Sequence, residues 1–317
     1  MNIKALAITI VAAAFSLSAC SVTGKETSAY GKSAAQISLT DDEIVKTLKL
    51  SGFDEIYSSA YVSIRYTQGS RYKVVARGTA KAFADADIFV SGGMRTINNK
   101  EKDINIGGDD SSDELKLEIT APDINNICNV GKMSFTTQSF KTRELTISNS
   151  GVLDFDGDKA SSRDTKIVNQ GVLHLAIDVK GASLDYGNSG VCTTNGTFTL
   201  DESYKYANQG KSDFDGSVTA RDIDISNTGV DTQSCKLKSD DLKMFVGGRS
   251  DYDMSFAGGR ADLTCSGVGD FDLSLDCRRI DVMASGRIGL ELSGTADNTD
   301  FTGSGVSNID TSRLNKF

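Results

Sequence analysis

The sequence predicts an all-β protein, a parallel β-helix (solenoid) with coils of 19–20 residues. Three observations predict this fold: a glycine recurs at steps of 19 or 20 residues, six of the units carry Asn-x-Gly, and apolar residues alternate with polar ones around the glycine. Alternation with period two is typical of strands and not of helices. Ten coils stacked at roughly 4.8 Å would form a rod about 45 Å long. The ten glycines are Gly131, Gly151, Gly171, Gly190, Gly210, Gly229, Gly248, Gly267, Gly286 and Gly305.

These glycines are predicted to form the corners of the coils, because glycine reaches the positive φ values that sharp turns need. The asparagine two residues before the glycine points inward by alternation, so the asparagines of successive coils would stack. Amide side chains in such a ladder donate to and accept from the neighbouring coil, which satisfies polar groups inside a corner. We interpret the asparagines as scaffold. They are Asn129, Asn149, Asn169, Asn188, Asn208 and Asn227.

The first 19 residues are predicted to be a lipoprotein signal peptide, with Lys4 as its positive end and an apolar stretch behind it. Leu17-Ser18-Ala19-Cys20 matches a lipobox, which predicts cleavage before Cys20 and acylation of this cysteine, for example with palmitate. An ordinary secretory signal is the alternative. The expected location is the outer membrane of the cell envelope, with its periplasmic and its surface side both left open.

The rest of the chain divides by the regularity of its pattern. Residues 20–47, which begin at the lipidated cysteine, are rich in Ser, Thr, Ala and Gly and are predicted to be a flexible tether. Residues 48–310 are predicted to form one solenoid. Its first part, 48–125, has short alternating strands without a regular period, and we interpret it as irregular coils that cap the regular coils of 126–310. Residues 311–317 are predicted to be a tail.

One stretch carries a resemblance to a known family. The run Ser-Gly-Phe-Asp-Glu-Ile at 51–56, the pair Val62-x-Ile64, and Gln68-Gly69, followed by the glycine-centred repeats, resemble the putative auto-transporter adhesin family with a head GIN domain. The resemblance covers roughly residues 48–310. It implies a right-handed β-helix that is pectin-lyase-like in shape, without recognised catalytic residues, and a role in adhesion. The corners depart from the family pattern, since Asn-x-Gly replaces most of the usual Gly-Ser-Gly.

The composition of the chain argues against several classes of ligand and partner. The formal net charge of −9 argues against nucleic acid and against electrostatic adsorption to anionic lipid. The chain has no tryptophan and one histidine, His174, and it lacks any C-x-x-C motif, so a zinc site lacks its parts. Four of the five cysteines after Cys20 are predicted to be small core hydrophobes, and whether any disulfide forms is left open. These five are Cys128, Cys192, Cys235, Cys265 and Cys277.

Two groups of outward positions carry charge. Five residues before the glycine, Lys166, Asp185, Lys205, Asp224, Lys243 and Asp262 alternate in sign from coil to coil, and this alternation is expected to fix the register of the strands. Three and five residues after the glycine, aspartates accumulate instead. Oxygen-only ligands of this kind suit Ca²⁺, although one sheet face rarely surrounds that ion, and a hydrated acidic face is the preferred interpretation. The weak Ca²⁺ candidates are Asp251, Asp253, Asp270 and Asp272.

The predicted function is that of a lipid-anchored, cell-envelope solenoid that acts as a non-catalytic adhesion or interaction protein. Its partner is expected to be an unknown protein, a glycan or a second copy of the chain, and no cofactor other than Ca²⁺ is considered. A polysaccharide lyase or hydrolase that uses the acidic face is one alternative. It would need a basic residue there, and Arg260, Arg278 and Arg279 are expected on a different strand. A purely structural envelope protein is the second alternative.

Overall fold

The computed structural model describes residues 43–96, 99–107 and 113–316. The predicted signal peptide, Cys20 and most of the predicted tether lie outside the described residues. Most of the described chain is strand, with one short helix, α1 (Ala80–Asp85). The strands are β1 (Ile44–Leu48), β2 (Glu55–Ser58), β3 (Tyr61–Gln68), β4 (Lys73–Gly78), β5 (Asp87–Thr96), β6 (Asn99–Gly107), β7 (Leu115–Ala121), β8 (Asn126–Asn129), β9 (Lys132–Thr137), β10 (Phe140–Lys141), β11 (Glu144–Asn149), β12 (Val152–Ser161), β13 (Asp164–Asn169), β14 (Val172–Asn188), β15 (Val191–Asn208), β16 (Lys211–Thr219), β17 (Asp222–Asn227), β18 (Val230–Val246), β19 (Arg249–Cys265) and β20 (Val268–Lys316).

Two stacks of parallel strands run along the solenoid, separated by the column of glycines. Face A contains the strand segments that end just before a glycine, and face B contains the segments that begin just after it. On face A, Asn149 pairs with Asn129 on one side and with Asn169 on the other. On face B, Val172 pairs with Val152. Because the pairing keeps equivalent positions of the repeat opposite each other, the predicted parallel β-solenoid is confirmed.

The interior is filled by side chains from alternate positions of both faces. Aromatic rings stack from coil to coil, with 4.9 Å between the ring centroids of Phe135 and Phe155 and 5.7 Å between those of Phe198 and Phe214. Such offset pairs stabilise a core beyond the apolar area they bury. Four cysteines are free and buried in this core, as predicted for small hydrophobes. They are Cys192, Cys235, Cys265 and Cys277.

The N-terminal cap does not follow the order of the sequence. Strands β2 and β3 form a coil that lies between two others, because β2 pairs in parallel with β6 and β8, and β3 pairs in parallel with β7 and β9. Beyond this coil the pairing is antiparallel, with β4 against β7, β1 against β4 and β5 against β6. Within residues 48–125, therefore, only some segments form parallel coils and the others pair in antiparallel.

The cap also begins earlier than predicted. Ile44 to Leu48 pair antiparallel with Val74 to Gly78, so the proposed boundary between tether and solenoid at residue 47 is wrong. The helix α1 was not predicted either. Its first turn is capped by Thr79, whose side chain accepts the backbone N–H of Ala82.

The tenth repeat unit departs from the other nine. Gly305 has a φ of 76°, and after Ala296 the one buried side chain among the described residues is Leu314. Strand β20 runs to Lys316, beyond the predicted boundary at 310. The solenoid has about eight turns instead of the predicted ten, and its last residues lie over the open end of the core.

The column glycines are required for a different reason from the predicted one. Of the ten, only Gly305 has a positive φ, so the predicted left-handed backbone is wrong for the other nine. A Cβ atom at Gly171 would instead overlap the carbonyl oxygen of Gly151 in the preceding coil, and equivalent overlaps recur through Gly286. This carbonyl accepts the backbone N–H of Val172 at 2.9 Å. Glycine therefore allows successive corners to approach closely enough to form the bond between coils.

Candidate functional site

The asparagine ladder forms as predicted. Asn149 donates its Nδ2 to Oδ1 of Asn169 at 2.9 Å, and Asn169 donates in the same way to Asn188 at 2.8 Å. Each amide nitrogen also donates to a backbone carbonyl of the next coil. The ladder ends where Asn227 donates to the Ser250 hydroxyl at 2.8 Å. At the other end, Oδ1 of Asn129 is buried without a hydrogen-bond partner among the described atoms. The ladder satisfies polar groups inside a corner.

Replacing Asn169 with alanine is expected to lower the free energy of unfolding by about 2 kcal/mol, because it leaves the Asn188 oxygen buried without a donor and removes one acceptor from Asn149. Chemical denaturation of the variant measures the loss. The matched control is Asn129→Ala, which should cost about one hydrogen bond less, since the Asn129 oxygen already has no described partner. Equal losses at the two positions would contradict this account of the ladder.

The alternating charges on face A occupy the predicted register. Lys205 lies between Asp185 and Asp224 on the neighbouring strands. The alternation ends where Asp262 pairs with Asp281. At this like-charge step, Arg260 donates to Asp262 at 2.7 Å and to Asp281 at 3.0 Å, so one guanidinium bridges the two carboxylates.

Two of the three arginines of the enzyme hypothesis, Arg260 and Arg279, are therefore engaged elsewhere. Arg260 and Arg279 bind the carboxylates of face A, where the Arg279 guanidinium also holds the pKa of Asp281 below its ordinary value. The acidic residues of face B lie on other strand segments. His174 is an exposed strand residue opposite Asp154 and Thr193, as predicted. The structure brings none of these basic side chains to the acidic patch.

The acidic patch itself has the predicted arrangement. Asp251 pairs with Asp270 and Asp253 with Asp272 on adjacent strands of face B, and all four side chains are exposed. Arg313 approaches Asp272 at 3.8 Å. Within the described residues, no three His, Cys, Asp or Glu side chains converge as ligands for a metal ion. Ca²⁺ binding at this patch thus stays a prediction that has gained no geometric support.

A buried carboxylate is the polar feature that the sequence interpretation missed. Asp231 points into the core and is 1% exposed. Three side chains donate to it: Tyr252 at 2.7 Å, Gln233 at 2.8 Å and Tyr206 at 3.3 Å. Burial raises its pKa to about 6, from an ordinary value of 3.8, while these hydrogen bonds oppose the shift. The carboxyl is therefore half protonated near pH 6 and mostly ionised at pH 7. Its position two residues after Gly229 is inward by alternation, and this was the available signal.

The interior of the later coils also contains a small cavity lined by apolar side chains. A cavity of about 10 Å³ lies between the two faces of the later coils, lined by residues such as Met244, Met254 and Leu273. Space of this size holds at most one water molecule and is apolar on all sides. No helix in the described part of the chain is long and apolar enough to span a membrane.

Stacked coils, a closed apolar core and long outward columns of polar side chains define a β-solenoid repeat protein that presents its surface along straight faces. A family model with the description "Putative auto-transporter adhesin, head GIN domain" matches residues 52–256 and 247–316. The chain belongs to this family. The chain has no match among curated proteins.

Several solved structures are similar over most of their length. A "putative adhesin" from Bacteroides fragilis has 14% sequence identity and a TM-score of 0.37, covering 86% of this chain and 98% of its own. A "putative lipid binding protein" from Parabacteroides distasonis has 15% identity and a TM-score of 0.44, covering 82% and 98%. A "putative adhesin" from Parabacteroides merdae has 11% identity and a TM-score of 0.36, covering 84% and 95%.

Proposed function

We propose that the protein is a lipid-anchored, non-catalytic adhesion or interaction protein of the cell envelope. The family to which the chain belongs, described by its model as an adhesin, supports this role. The observation that carries the proposal is the arrangement of charged and polar side chains in straight columns that face outward over the whole stack. Such columns suit contact with an extended partner surface more than the convergence of groups on one reacting atom.

The alternatives have weaker support. A polysaccharide lyase or hydrolase would need a free basic group beside the acidic patch, but Arg260 and Arg279 are held in ion pairs on face A. Arg313, which approaches Asp272 at 3.8 Å, is bound to Glu291 at 2.7 Å. A purely structural envelope protein would need no partner, and it differs from an adhesin in where the solenoid lies. The lipobox that ends at Cys20 supports anchoring to the outer membrane.

Protease shaving of intact cells tests the proposal. An adhesin that acts outside the cell should lose its solenoid to protease without permeabilisation, after which purified protein is screened against glycan and protein arrays. A Cys20→Ser variant should leave the membrane fraction, which tests the anchor separately. Protection from protease until the outer membrane is opened would rule out the surface role and favour a structural role in the periplasm.

A further inference from the structure

One strip of the surface differs in composition from all the rest. We call it the corner ribbon, and it comprises the five residues from three before to one after each column glycine. No segment of it contains Asp or Glu, although the chain has 43 acidic residues. Its charges are all positive: Lys132, Lys211, Arg249 and Arg287. The segments are 128–132, 148–152, 168–172, 187–191, 207–211, 226–230, 245–249, 264–268, 283–287 and 302–306.

The ribbon also carries most of the exposed apolar surface. Of the nine large hydrophobic side chains that are exposed in the described residues, seven lie in the ribbon. The row just after the glycines contains Val191 and Val230, each 44% exposed, and Val268, 49% exposed. In the earlier coils Val152 and Val191 lie on either side of the half-buried Val172, and such contiguous apolar side chains mark an interaction site more often than single ones do.

Cations and valines alternate strictly along the later coils of this row. Lys211 pairs with Val230, Val230 with Arg249, and Arg249 with Val268. The cations thus recur every second coil, at roughly 9.6 Å. Within the described residues, Lys211, Arg249 and Arg287 make no ion pair, whereas Arg221, Arg260 and Arg279 outside the ribbon are all paired with aspartates.

Face B provides the complementary pattern. Its outward positions three and five residues after the glycine contain no Lys or Arg in any coil. Five residues after the glycine the charged residues are all acids, and three of them, Asp215, Asp253 and Glu291, lie in coils that have a cation in the ribbon. The others are Asp156, Asp272 and Asp310. Both series repeat at 38 residues, from 211 to 249 to 287 and from 215 to 253 to 291. Glu291 is already bound by Arg313 at 2.7 Å, so of these three acids Asp215 and Asp253 are the ones without an ion pair among the described residues.

We propose that the corner ribbon of one copy docks on face B of a second copy of this chain, so that the solenoids associate side by side. Lys211 and Arg249 would lie against Asp215 and Asp253 of the second copy, with the ribbon valines buried between the pairs. An identical coil rise sets both spacings, so a second copy matches the cations over several coils without adjustment. The ribbon row and the acidic positions are neighbouring but different patches on the same strands, so their contact is heterologous and extends into an array. This inference names a second copy of the chain as the partner in the adhesion or interaction role proposed above. It rests on that proposed function for the location of the protein in the cell envelope.

Sedimentation velocity of the purified full-length protein in detergent tests the docking. At about 0.05 M salt the weight-average mass, corrected for bound detergent, should rise with concentration above that of one chain. At about 1 M salt it should return to that of one chain, because screening weakens exposed ion pairs. A ribbon variant, Lys211→Glu with Arg249→Glu and Arg287→Glu, should bind its own kind about tenfold more weakly or worse. A face variant, Asp215→Lys with Asp253→Lys, should do the same.

Mixing the two variants is the decisive step, since each then offers the charge that the other lacks and association should return. The matched control is Lys180→Glu with Lys236→Glu and Lys238→Glu, which has the same change in net charge at exposed positions outside the ribbon and should associate like the wild type. Thermal unfolding checks that every variant is folded.

The proposal is overturned if the wild type stays monomeric at all concentrations, if the control variant loses association equally, or if mixing restores nothing. Monomeric protein that instead binds phosphatidylglycerol vesicles or polygalacturonate through the ribbon cations would also overturn it and name the other partner. The sedimentation experiment does not depend on the result of the protease-shaving experiment. Either proposal can therefore be contradicted while the other is supported.

Discussion

Replacing Gly229 with alanine is expected to lower the free energy of unfolding by about 3 kcal/mol or more, or to prevent folding. The added Cβ atom would overlap the carbonyl oxygen of Gly210, which belongs to the backbone and accepts the N–H of Val230 at 2.8 Å. Relief of the overlap requires the two corners to separate, and that breaks the bond between coils. Chemical denaturation and the yield of soluble protein measure the effect.

The control for this substitution is Gly303→Ala. A Cβ atom there would meet only side chains, Ile309 at 3.8 Å and Ser307 at 4.0 Å, which are ordinary van der Waals distances. The control should change stability by less than about 0.5 kcal/mol. If Gly229→Ala were as stable as the control, close approach of the corners would not be what selects glycine in this column.

Replacing Asp231 with asparagine is expected to stabilise the protein at neutral pH, by about 3 kcal/mol at pH 7, and to have little effect at pH 4. The pKa of Asp231 is about 6 in the folded protein and 3.8 ordinarily, so ionisation favours the unfolded chain. The stability associated with the neutral carboxyl is fully present below pH 3.8 and is lost as the pH rises through 6. Asparagine is neutral at every pH. Its amide oxygen can accept from Gln233 and Tyr252, which share one carboxylate oxygen, and its amide N–H can donate to the Tyr206 hydroxyl.

Denaturation curves at several pH values between 4 and 7.5 measure the difference between variant and wild type. Asp251→Asn is the control, because Asp251 is next to Tyr252 in sequence but is exposed on face B. A benefit of Asp231→Asn that is the same at pH 4 and at pH 7 would show that ionisation of Asp231 is not its cause. The neutral tyrosines would be unaffected, since burial raises the pKa of Tyr206 and Tyr252 well above their ordinary range.

The regular coils could be predicted because the same residue pattern recurs in each of them. The spacing of Asn149, Asn169 and Asn188 sets the register directly, and the structure pairs them as expected. The reason for the glycines was not predictable in the same way. A left-handed turn and a close approach of two backbones both require glycine at a fixed position. The sequence pattern is the same in both cases, so it does not distinguish between them.

The cap and the interior network were harder to predict for different reasons. Pairing of β2 with both β6 and β8 joins segments far apart in the chain, and short strands without a period carry no information about such register. Asp231, in contrast, occupies an inward position of a known period. Its charged side chain conflicted with an apolar core, and an inspection of inward columns for acids would have found it.

The order of strands in the cap has a consequence for how the protein is made. The coil of β2 and β3 lies between that of β6 and β7 and that of β8 and β9, so it has both of its neighbours only after β9 has followed in the chain. Each later coil then adds to an edge that already exists and contacts only its predecessor. We therefore expect folding to begin with one slow step, in which segments far apart in the chain form the cap. Faster addition of one coil at a time to the end of the stack then follows.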